Sequence, residues 1–183
     1  LLCATVKDPS TLRGDALHAL EFFLFSLAVT YTVLRLRFEV IDSLETTRYH
    51  LEHDSLTDTF SRSTLEQHLD RYVGRHLFIA MGDIDHFTLI DDFYGPETGN
   101  QVLVAFATFL KDVFGEENTY RVGGDEFLCM GTDTHVKTGT NDIRLCQTRF
   151  SSSRFDKIHT PVSCSFGYVT GTPQSTQELQ NMI

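Results

Sequence analysis

The stretch Arg121–Phe127 reads RVGGDEF: a β-like segment runs into two glycines, then two carboxylates, then an aromatic residue. NTYRV before the glycines and FLCM after the acidic pair read as two short strands, and the residues between them have hairpin length. Glycine lacks Cβ, so Gly123 and Gly124 are expected to take positive φ freely and to let a ligand lie against the backbone. Taken alone, a Gly-Gly-Asp turn is a plain hairpin connection; what surrounds it gives it more meaning.

Upstream, HLFIAMGDID reads as a buried strand, His76 to Met81, running into an acidic turn with Asp83 and Asp85. Between the two acidic places Val102, Leu103, Phe106, Phe109, Leu110 and Val113 mark one face of a helix from Gly99 to Phe114. Further helices are expected at Ser63–Arg75, after the turn-like HDSLTDTFSR, and around Asn141–Phe150. A strand is expected at Val162–Val169, and ELQNMI resembles the start of another helix. Strands alternating with helices predict an α/β fold: a central sheet flanked by helices, made mixed by its hairpin strands. If the two acid-bearing strands are neighbours, Asp83 and Asp85 face Asp125 and Glu126. Carboxylates converging from strand ends form a hard-oxygen site suited to Mg²⁺, which keeps water and substrate phosphates as its other ligands. Such metals stabilise attacking and leaving oxygens in phosphoryl or nucleotidyl transfer. Alone, Asp83 and Asp85 equally suit a solvated strand exit or a helix N-cap.

The first fifty residues have a different character. Leu17, Leu20, Leu24, Leu27, Tyr31, Leu34, Phe38 and Ile41 alternate spacings of three and four, the seam of a paired helix spanning Thr11 to Arg48. Phe22 to Leu34 is also an uncharged, mostly apolar run of about thirteen residues, and Arg35 and Arg37 follow it as on the cytoplasmic side of a last membrane helix. Residues 16–37 therefore read either as a membrane helix or as a soluble coiled coil. The 183 residues, 41% hydrophobic with 15 phenylalanines, exclude global disorder. The net charge of −10 argues against a nucleic-acid-binding module and leaves a polyanionic substrate dependent on cations. Cys3, Cys129, Cys146 and Cys164 form no metal-spaced pairs, which suits buried thiols in a reducing compartment. The eight histidines show no ligand spacing, so surface or strand-edge places are expected for them; Phe87 and Phe127 are expected to anchor the two acidic turns in the core. A chain without an initial Met or a signal peptide reads as a piece of a longer protein.

In this order and at these separations the motifs resemble the GGDEF family of diguanylate cyclases. Gly123 to Phe127 spell the motif that names it. DSLTDTFSR resembles the family's opening motif through Asp54, Leu56, Thr57 and Arg62; DIDHF resembles its metal-binding turn and VSCSFGY its late strand. The resemblance implies a nucleotidyl-cyclase-like palm at 54–183 with a C-terminal helix cut short, behind a signalling helix at 1–53. It implies a cytoplasmic output domain, placed at the cytoplasmic face of a bacterial inner membrane if residues 16–37 span. The implied reaction joins two GTP molecules, one on each of two facing domains, into cyclic di-GMP with loss of two pyrophosphates. By the same resemblance, Asp83, the Ile84 carbonyl and Asp125 hold Mg²⁺ or Mn²⁺, and Gly123 and Gly124 admit the nucleotide. Asp125 and Glu126 sit where the 3′-hydroxyl is activated. A homodimer is required, and the Leu17–Ile41 seam could make it.

The helix after the metal turn departs from the family pattern. Thr88 stands where a Lys is usual, Asp91 for Asn, Pro96 for His and Asn100 for Asp. In the family the residues at 91 and 100 read the guanine edge; here the amide and the carboxylate are exchanged, which moves a donor and an acceptor. These departures keep two alternatives open, a non-catalytic module that binds nucleotide or a protein partner, and a cyclase of altered base preference. Phe114 and Glu117 replace the Arg and Asp of the family's product-inhibition site, so no feedback inhibition is expected there.

Overall fold

The computed structural model describes residues 9–132 and 134–183, with side chains from residue 17 onward. The chain divides into two units, the first ending at Arg48 and the second running Tyr49–Ile183. Among the described residues of the first, one helix, α1 (Pro9–Glu52), carries the expected seam; its last residues belong to the second unit. The described side chains of α1 up to Arg48 are all exposed, Phe22 and Phe38 among the most. An 18-residue window within it reaches a mean hydropathy of 1.6. Cys3 lies outside the described residues.

The second unit is built on five strands: β1 (Phe60–Ser61), β2 (Leu77–Ile84), β3 (Thr119–Arg121), β4 (Glu126–Thr132) and β5 (Cys164–Gly171). Their order is β1-β3-β4-β2-β5, so β2, the strand richest in buried apolar residues, lies inside the sheet as its sequence requires. The sheet is mixed, but its one parallel pair is β1 with β3; β2 runs antiparallel to both β4 and β5, and the hairpin pair β3–β4 is antiparallel.

Alternating side chains feed two cores. Phe78, Ala80, Phe127 and Cys129 face α3 (Phe87–Tyr94), α4 (Pro96–Phe114) and α5 (Thr134–Ser151). Leu77, Ile79, Leu128 and Met130 face α2 (Arg62–His68), the 3₁₀ turn Leu69–Tyr72 and Leu179 of α6 (Thr176–Met182). Phe106 of α4 meets Phe127 edge to face, centroids 5.3 Å apart, a geometry worth about 1 kcal/mol beyond burial. Phe127 is fully buried and Phe87 packs on the same core, so both acidic segments are anchored as expected.

The structure moves several expected boundaries. The region between β2 and β3 holds two helices rather than one, because Gly95 at φ 83° ends α3 and Pro96 starts α4. The acidic residue Asp83 lies within β2, not in a turn after it, since pairing with β4 and β5 extends that strand to Ile84. The second helix stops as an α-helix at His68. His68 is buried, its Nδ1 3.1 Å from the Tyr120 hydroxyl, and so departs from the surface place expected for it. Cys129, Cys146 and Cys164 are buried free thiols, and burial pushes Cys164 up to about 12.

Candidate functional site

Pairing of β2 with β4 puts Asp83 directly across from Glu126, with Asp125 immediately before the strand. Asp83 and Glu126 fall on the face of Met81 and Leu128 by alternation, at the strand ends where that core gives way to solvent. Burial pushes the Asp83 carboxyl up, and the charges of Asp125, Glu126 and Asp85 push it further. Among the described residues no ion pair involves Asp83, Asp125 or Glu126. Three acidic groups therefore crowd one place with no ion-pair partner among the described residues.

Asp85 does not join them. Its carboxylate accepts from the Ser163 hydroxyl at 2.5 Å and the Ser165 hydroxyl at 2.7 Å, and its N–H donates to the Ser163 carbonyl at 3.0 Å. Those hydroxyls hold it below the usual carboxylate range. Its role is to fasten the exit of β2 to β5, next to His86, whose φ of 59° is strained for a side-chain-bearing residue.

Backbone pairing forms the hairpin, and the Arg121 side chain braces it. Its Nε and Nη2 donate to the Gly124 carbonyl at 3.1 and 2.6 Å, while Nη1 donates to Asp54 Oδ1 at 2.8 Å. Burial alone would push Asp54 up, but the Thr57 hydroxyl, Arg121 and the Thr57 N–H outweigh it and hold the carboxyl below its ordinary range. This link was not read from the sequence; the signal was there in an Arg before the glycines and an Asp in the opening motif, 67 residues apart.

The glycines act otherwise than expected. Among the described glycines only Gly74, Gly95 and Gly115 have positive φ, so Gly123 and Gly124 are not required for backbone freedom. A Cβ on Gly123 would meet the Glu126 carboxylate and stand 3.1 Å from Glu126 Cβ, whereas one on Gly124 would meet nothing within 4 Å. Gly123 makes room for Glu126, and Gly124 leaves the hairpin surface open.

Of the residues expected to contact substrate, Asp91 is half-buried on α3 with its carboxylate against Gly99 of α4, where a Cβ would collide with it. Asn100 is exposed on α4 beside that glycine, Thr88 is exposed on α3, and Pro96 is the first residue of α4. Phe114 is buried, stacked on Phe78 at 6.4 Å, and Glu117 lies against Gly115.

Among the described residues no three His, Cys, Asp or Glu side chains form a ready metal cage. The donor set of Asp83, Asp125 and the Ile84 carbonyl nevertheless fits a hard cation such as Mg²⁺, which takes few protein carboxylates and fills its remaining positions from water and phosphate.

A family model described as "Diguanylate cyclase, GGDEF domain" matches residues 51–183. The Probable diguanylate cyclase DgcF of Escherichia coli (strain K12) is 38% identical over 80 residues, 42% of this chain and 25% of that protein. The Biofilm architecture maintenance protein MbaA of Vibrio cholerae is 30% identical over 161 residues, 79% of this chain and 20% of that protein. The chain thus spans a quarter or less of these relatives. Among solved structures, the coiled coil and GGDEF domain of DgcB from Caulobacter crescentus, in complex with c-di-GMP, superposes with a TM-score of 0.72 at 25% identity, covering 89% of each chain.

Proposed function

The chain belongs to the GGDEF family of diguanylate cyclases, and from that premise we propose that residues 54–183 join two GTP molecules into cyclic di-GMP, as the output domain of a signalling protein. The observation that carries this reading is the register of Asp83 with Glu126, beside Asp125, with no cation among the described side chains paired to them. In the proposed reaction the 3′-hydroxyl of one GTP attacks the α-phosphate of the other, its proton passes to Asp125 or Glu126, and pyrophosphate leaves; a second round closes the ring. Mg²⁺ or Mn²⁺ held by Asp83, Asp125 and the Ile84 carbonyl would offset the phosphate charge. Gly124 gives the nucleotide a surface to lie on, and Asp91 and Asn100 stand where the base would be read.

One domain holds one GTP, so two copies must face each other, and their proximity controls the rate. Residues 1–53 serve this reading as a signalling helix. They pair copies through the Leu17–Ile41 seam, or they anchor the cytoplasmic domain to a membrane through residues 16–37. Fractionation of cells expressing the chain separates the two: recovery with the membranes supports the span, and a soluble dimer supports the coil. With Phe114 in the core, turnover should not fall as product accumulates through that position.

A second reading, a non-catalytic module that binds nucleotide or a protein partner, draws on Asp91, whose carboxylate is engaged against α4. Incubation of the protein with Mg²⁺ and each NTP, with products identified by mass spectrometry, tests both. Cyclic di-GMP from GTP alone supports the cyclase. GTP binding without any cyclic product supports the second reading, and a product containing adenine would show that the exchange of Asp91 and Asn100 altered base choice.

A further inference from the structure

The last turn of α1 is locked to the opening turn that follows it. The Tyr49 hydroxyl donates to Asp58 Oδ1, and the Tyr49 ring stacks on His53 with centroids 4.1 Å apart and planes 12° from parallel. His53 Nδ1 lies 3.7 Å from the same carboxylate oxygen, and its ring packs on Phe60 of β1 at 4.6 Å. Asp58 adopts a left-handed backbone at φ 56°, a strained state for an aspartate unless its surroundings hold it there. Its surroundings do hold it: its N–H donates to the Asp54 carbonyl at 2.9 Å, and the Lys111 ammonium donates to the carbonyls of Thr57 and Asp58, 3.3 Å each, while standing 3.7 Å from Asp58 Oδ2.

Two routes leave this knot. Lys111 belongs to the last turn of α4, the helix that carries Asn100 near its other end. Asp54 accepts from Arg121, which grips the Gly124 carbonyl at the hairpin tip.

We propose that the Tyr49–His53–Asp58–Lys111 knot is a coupling device that makes the conformation of the Arg121–Glu126 hairpin depend on how the last turn of α1 is seated. Releasing Tyr49 or Lys111 from Asp58 loosens the left-handed turn, and the slack reaches the hairpin because Asp54 anchors both. Its consequence for turnover rests on the hairpin being the nucleotide platform; the coupling itself does not, so it is read without nucleotide.

The test is amide hydrogen exchange on the full chain. Val122 and Gly123 are the reporters, since both N–H groups donate to the Glu126 carbonyl within the hairpin. Asp58→Asn removes the charge while keeping a residue that tolerates the left-handed backbone, and Tyr49→Phe removes only the hydroxyl. In each variant the two reporters should exchange about fivefold faster, the equivalent of one lost hydrogen bond, with Ile79 in the core of β2 unchanged. Faster exchange confined to residues 49–58 would overturn the coupling, and so would equal acceleration at Ile79, which signals general loosening. Should one variant fail to fold, the other decides alone.

Discussion

Two sets of carboxylates around β2 and the hairpin are treated in opposite ways. Asp54 and Asp85 are fully engaged, by Arg121 and Thr57 in one case and by Ser163 and Ser165 in the other, and both are held below the usual range. Asp83, Asp125 and Glu126 stand together without an ion-pair partner among the described residues, and Asp83 is pushed upward. The fold has donors at its disposal a few residues away and does not spend them on the second set. The first set builds the frame; the second is left with charge to give to something else.

The largest effect should come from breaking the unpaired set. Asp83→Asn is expected to lower cyclase turnover by about a thousandfold, the scale of losing an electrostatic contact made at the transition state. The same variant should melt at a higher temperature than the parent in the absence of added metal, because it removes a strained charge. Lower turnover with a lowered melting point would mean that Asp83 belongs to the frame after all.

Next comes the frame itself. Arg121→Ala should cost about 2 kcal/mol in urea unfolding, since it deprives both Asp54 and the Gly124 carbonyl of their charged donor. A cost near zero would make the link incidental.

The glycines sharpen the comparison at a smaller scale. Gly123→Ala forces Glu126 aside and should cost about 1 kcal/mol of stability, whereas Gly124→Ala faces open space and should leave stability unchanged. If the nucleotide lies on Gly124, that second variant loses GTP affinity without loss of stability, measured by titration calorimetry; unaltered affinity would place the nucleotide elsewhere.

The smallest effects are those of pH, and the two sets differ in sign. Asp54 and Asp85 are depressed in the fold, so their stabilisation is present above the ordinary carboxylate value of 3.8 and is lost as pH falls below it. Asp83 is raised, so the folded state binds its proton first, and its penalty grows as pH rises through the region above 3.8. Melting curves across that range should lose the upper slope in Asp83→Asn and part of the lower slope in Asp54→Asn.

Much of this was legible in the chain, for reasons of pattern. The apolar run of β2, the amphipathic face of α4 and the two strands around the glycines each bury in the way their local order demands. What local order could not carry was anything decided by a distant partner. Asp83 and Asp85 look equivalent in sequence, two residues apart, yet the start of β5 and the residue before it give the hydroxyls of Ser165 and Ser163 to Asp85, while Asp83 faces the acidic hairpin. Phe60 and Ser61 look like turn residues and become a strand only because β3 lies beside them. His68 looks like a surface residue until Tyr120 folds over it.

RVGGDEF and the acidic exit of the preceding strand, by themselves, determined that carboxylates would stand at the ends of two strands, because residue type and order along each strand suffice for that. Only the tertiary structure decided that those strands are neighbours, which carboxylates find a donor and why each glycine is there. A carboxyl group's state depends on the donors within about 3 Å of it, and here those donors come from as far as 80 residues along the chain.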